Sequence, residues 1–91
     1  MITSASGTLA AAGEVVGPLL VHPHTDTDVA VKGTFVATIT IEGTQNGQDW
    51  FPIATITGPG VWSAEMKRPW LIRATILPGE YTSGTADVVI A

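Results

Sequence analysis

The chain has no cysteine, and its 91 residues include only four Lys or Arg against eight Asp or Glu. Without thiols there are no disulfide staples, no thiolate metal sites and no cysteine nucleophile. The four cations are Lys32, Lys67, Arg68 and Arg73, in a chain of net charge −4. They form no basic stripe to neutralise phosphates, so nucleic acid is not an expected partner. No apolar run approaches the roughly 20 residues that a membrane-spanning helix needs, so no membrane association is expected. Met1 to Ala12 lacks the basic n-region of a signal peptide, and the protein is expected to stay inside the producing cell.

Charge of either sign is scarce. Charged residues make up 13% of the chain and apolar residues 45%, where soluble domains average about 25% charged. A chain this short supports one core and has much surface for its volume. With so few charges, that surface must be Thr, Ser, Gly, Ala and exposed apolar groups, a composition suited to lasting contact with other proteins.

What the chain does have is β-pattern. Two β-branched runs, Thr34 to Glu42 and Trp50 to Thr57, flank Asn46-Gly47, a pair that tolerates positive φ and marks a hairpin tip. Along the first run Phe35, Ala37, Ile39 and Ile41 alternate with Val36, Thr38, Thr40 and Glu42, which predicts a core face and an outer face. In the second run either Trp50, Pro52, Ala54 and Ile56 or Phe51, Ile53 and Thr55 point inward. Trp70, Ile72, Ala74 and Ile76 form another inward set, as do Ala86, Val88 and Ile90. Gly17-Pro18 interrupts Glu14 to His22, predicting a bent or edge strand. Turn residues recur at short intervals and no helical period is present. The expected fold is all-β: an antiparallel β-sandwich or jelly-roll-like barrel of about seven to eight short strands. Residues 13–91 form its single domain, preceded by a flexible N-terminal arm over residues 1–12.

Little of this carries chemistry. His22, His24, Asp26 and Asp28 are spaced by two, which puts them on one face of an extended segment, and imidazole with carboxylate suits zinc, nickel or copper. A straight row does not converge on an ion, however, and Pro23 favours a turn. The expected state is two solvated loop histidines with aspartates capping turns. His22 and His24 remain weak metal candidates, brought together only by a symmetry axis. No serine or threonine sits in a nucleophile motif beside an oriented base, no carboxylate pair stands out, and the glycines separate strands rather than open helices. The expectation is a non-enzymatic protein without a cofactor. Trp50 and Trp70 open strands among aliphatics and are expected in the core. Trp62, after Gly58-Pro59-Gly60, is the candidate exposed anchor for an interface.

Gly33-Thr-Phe and Thr-Ile-Glu-Gly-Thr-Gln-Asn-Gly-Gln-Asp-Trp50, then Trp70-Leu-Ile-Arg-Ala and Tyr81-Thr-Ser-Gly-Thr-Ala-Asp-Val-Val-Ile90, form a set. The set resembles small β-sandwich virion proteins from the structural modules of tailed bacteriophages. The resemblance covers about two thirds of the chain, from Val29 onward. It implies a structural role on the virion without enzymatic activity, such as a capsid decoration or cement protein bound to the major capsid protein or other virion proteins. A head-tail or tail component is the alternative. It also implies a homo-oligomer, with a trimer favoured, in which the arm residues Leu9, Ala10 and Ala11 reach a capsid subunit or a neighbouring copy. The alternative of another class is a carbohydrate-binding module, with Trp62, Tyr81 and nearby acids as a sugar platform.

Overall fold

The computed structural model describes residues 4–21, 25–66 and 70–91. These residues form ten strands: β1 (Ala5–Leu9), β2 (Val15–Val21), β3 (Thr25–Lys32), β4 (Phe35–Ala37), β5 (Ile39–Thr44), β6 (Phe51–Ile56), β7 (Gly60–Met66), β8 (Trp70–Thr75), β9 (Tyr81–Gly84) and β10 (Ala86–Ile90). Two four-stranded sheets have the orders β1-β10-β3-β7 and β2-β8-β5-β6, and a two-stranded ribbon joins β4 to β9. Every pairing is antiparallel. The all-β sandwich is therefore the fold, with ten strands where seven to eight were expected. The extra strands come from division of the long Thr34 to Glu42 run and from the N-terminal segment.

The division falls at Thr38, whose backbone N–H donates to the Glu80 carbonyl at 2.9 Å. The chain thus leaves β9 before it enters the second sheet as β5. Gly84 allows the β4-β9 ribbon to close. Its φ is +89°, and a side chain there would run into the Thr34 carbonyl oxygen, so only glycine fits without strain.

The core lies between the two four-stranded sheets, where period-two alternation delivers one apolar row per strand. Val29, Val31, Ala86, Val88 and Ile90 come from the first sheet, and Val16, Val21, Ile39, Ile41, Ile72 and Ala74 from the second; Leu9 and Ile76 complete the cluster. The inward sets read from β8 and β10 hold, with Trp70 half-buried at the margin. Phe35 and Ala37 only lean against the core. In β6 neither expected set holds along the whole strand. The register with β5 shifts between Ile41 and Glu42, and such a bulge switches the alternation. Ala54 and Ile56 therefore pack on the core while Phe51 stays 58% exposed. The interruption in β2 is as expected: β2 lies at a sheet edge, with a register shift between Val16 and Leu19 around Pro18.

The expected flexible arm over residues 1–12 is corrected over its described part. Ala5–Leu9 pairs with β10 along its length, from Ala5 beside Ile90 to Leu9 beside Ala86. Gly7 presents bare backbone to Val16, since a Cβ there would lie 3.1 Å from Val16 Cγ2. β1 can therefore approach β2 closely across the sandwich. A strand with one large apolar residue, Leu9, gives almost no alternation to read, yet that residue closes the core.

Candidate interaction surfaces

Five residues were singled out as interface or metal candidates on sequence grounds, along with Trp62, and the described ones among them, Leu9, Ala10, Ala11 and Trp62, do not form one surface. Leu9 is corrected from an interface residue to a core residue, only 1% exposed, because its place in β1 points it between the sheets. Ala10 and Ala11 are exposed in the turn from β1 to β2. That turn is fixed by the Ala10 N–H donating to Glu14 Oε1 at 2.8 Å and the Gly13 N–H donating to the Ile76 carbonyl at 2.8 Å. His22 and His24 lie outside the described residues. The turn-capping role expected for Asp26 and Asp28 is corrected: both stand on the outer face of β3, which is already strand at Thr25 because it pairs with β7 along its length. Among the described residues no group of three or more metal-ligating side chains is found.

Trp62 is corrected from an exposed anchor. It sits on the inward row of β7, beside Val29, and is half-buried against the core. The exposed neighbour is Val61, one residue earlier and on the opposite face, at 72%. Tyr81 also packs against the core, on a different sheet, and its hydroxyl donates to the Gly84 carbonyl at 3.0 Å. The two rings that the carbohydrate-binding alternative would use as a platform thus lie on different sheets, each packed against the core.

Sequence reading missed a charged cluster on the outer face of the second sheet. Glu42 in β5 stands beside Arg73 in β8. Arg73 Nε donates to Glu42 Oε1 at 2.8 Å, while its guanidinium carbon lies 3.9 Å from the centroid of Trp50. A planar guanidinium satisfies both partners at once, donating in its plane and stacking on its face. Glu42 is covered on this outer face although no second layer of strands packs there, and Trp50 is drawn out of its expected core position to lie over Arg73. The pattern that signals the cluster is Glu before the hairpin, Trp after it and Arg at mid-strand, but only the register aligns them.

The hairpin between β5 and β6 is tied by side chains. Thr44 Oγ1 accepts from the Gly47 N–H at 3.1 Å, and Asn46 Oδ1 accepts from the Gln48 and Asp49 N–H groups at 2.8 and 2.9 Å. Gly47, with φ of +79°, occupies the tip, as the Asn-Gly pair predicts.

No protein-family model, curated protein or solved structure matches this chain.

The surface is marked less by a cleft than by apolar side chains. Val36, Phe51, Leu20, Val61, Val15 and Val89 are all exposed. They are spread over both four-stranded sheets and the β4-β9 ribbon.

Proposed function

We propose that the protein is a non-enzymatic structural component of a tailed-bacteriophage virion, a capsid decoration or cement protein that stabilises the head through protein–protein contacts. The observation that carries this reading is the surface. A domain of this size leaves Val61 72%, Phe51 58% and Leu20 51% exposed while devoting only 13% of its residues to charge. Exposed apolar groups of this kind return free energy when covered, at roughly 25 cal/mol per Å² before association costs. The resemblance of the hairpin and last strands to virion sandwich proteins supports the same assignment. It gives the major capsid protein or another virion protein as the partner and the capsid surface as the location.

The test adds the purified protein to phage heads that lack it. Co-sedimentation at a fixed stoichiometry, with an upward shift in the temperature of head disruption, is the expected result. Heads that neither retain the protein nor gain stability, beside tails that do retain it, would move the assignment to a tail component. Failure to bind either would refute the virion role.

A further inference from the structure

The outer face of the first sheet is apolar at its centre, where the solvent side of an antiparallel sandwich is ordinarily polar. Register sets its outward residues in rows across the strands. Ser6 lies beside Val89, Val89 beside Ala30, and Ala30 beside Val61. Three of these four side chains are apolar. The next row runs Thr8, Asp87, Lys32, all exposed. Asp87 Oδ1 accepts from Thr8 Oγ1 at 2.9 Å, and the residue is exposed. The ion pair found among the described residues joins Arg73 to Glu42, and Lys32 takes no part in it. Because Ala30 is short and stands between two valines, the face is hollowed. Ala30, Lys32, Val61, Asp87 and Val89 help to line a shallow depression of about 300 Å³.

We propose that this face is the contact surface of a two-fold dimer, occupied by the same face of a second copy. The face is self-complementary about an axis that runs between β10 and β3, parallel to both. Such an axis lays β3 over the second copy's β10, and β7 over its β1, with heights along the strands preserved. Val89 then fills the hollow over the second copy's Ala30, and the reverse contact forms at the same time. Lys32 meets the second copy's Asp87, twice per dimer, beside the apolar row. Asp28, the next outward charge along β3, pairs with Ala91 within the chain and so lies over the second copy's Ala91, at the edge of the contact. Shape and charge thus close on the same operator.

The footprint sets the strength. Four strands at about 4.8 Å spacing and three outward rows cover about 20 by 20 Å, or about 400 Å² per copy and about 800 Å² in total, below the range of stable specific interfaces and within that of weak, transient contacts. The dimer is therefore weak and concentration-dependent, and it loosens with salt because its ion pairs are at the rim. It does not rest on the virion assignment, since head binding and self-association are separate measurements.

The test follows the mass of the full chain by sedimentation equilibrium from about 10 μM to about 1 mM, a range spanning weak affinities. The expected result is a rise from the monomer mass to twice that value. Lys32→Asp and Asp87→Lys each place like charges in both contacts and should weaken the dimer about tenfold or more. An equimolar mixture of these two variants restores opposite charges in both contacts, so it should dimerise where neither variant does alone. Val89→Asp, at a position 41% exposed, should abolish the dimer in any mixture, and thermal unfolding of each variant verifies that it is folded. A monomer at every concentration overturns the proposal, and so does a trimer. A dimer that ignores the mixed charges, or that Val89→Asp leaves intact, overturns the assigned face and axis.

Discussion

At the scale of single residues, two kinds of position carry most of the consequence. Arg73 holds Glu42 and Trp50 together on an outer sheet face. Removing the guanidinium leaves a largely covered carboxylate without a partner. The Arg73 side chain keeps 27% of its surface, so the penalty falls below that of a fully buried pair. Arg73→Ala should cost about 2 kcal/mol in urea unfolding. Arg73→Lys should recover only part of this, because an ammonium cannot donate in one plane while stacking on Trp50. Full recovery by lysine would mean that simple charge, not stacking, holds the cluster. The glycines give a second contrast. Gly84 and Gly47 both have positive φ, but a side chain on Gly84 meets the Thr34 carbonyl, whereas one on Gly47 meets open space. Gly47→Ala should cost about 1 kcal/mol from backbone strain alone, and Gly84→Ala clearly more, about 2 to 3 kcal/mol. Equal costs, measured by the same unfolding experiment, would contradict that account.

At the scale of elements, β1 decides how residues 5–9 behave. As a paired edge strand it covers β10 and supplies Leu9 to the core. Leu9→Ala should cost about 2 to 4 kcal/mol, since it empties a site with no solvent access. Amides along β1 that bond to β10 should resist hydrogen exchange more than those in the turn at Ala10 and Ala11. Uniformly fast exchange from Ala5 to Leu9 would return this segment to a loose arm. The other edges show a pattern that bears on association. Both edge strands of the second sheet contain proline, Pro18 in β2 and Pro52 in β6, while β1 and β7 of the first sheet have none. Proline cannot donate to a ladder and so discourages strand addition. The second sheet is thereby guarded at both sides.

At the scale of the whole molecule, the topology ties the ends of the chain together. The first strand pairs with the last, and β3 pairs with both β10 and β7. Few of these pairings are local, so loop closure must precede most of the stabilising contacts. Refolding followed by tryptophan fluorescence should therefore take milliseconds to seconds. A microsecond phase carrying the full amplitude would be inconsistent with such long-range pairing.

The chain's own residues determined the class of the fold, the Asn46-Gly47 hairpin and the inward rows of β8 and β10, because period-two alternation and positive-φ turns are local properties. They also determined that the surface would be poor in charge, since composition bounds what a small domain can display. Tertiary structure alone decided the rest. Leu9 joined the core because β10 stood beside it, the Thr34 to Glu42 run broke at Thr38 because Glu80 offered a carbonyl, and Ile53 fell at a bulge that no alternation announces. The Glu42-Arg73-Trp50 cluster and the Val89-Ala30-Val61 row also exist only through register between strands far apart in the chain. Pairing across a sheet is a long-range choice, made by the free energy of the whole core rather than by the preference of any one segment.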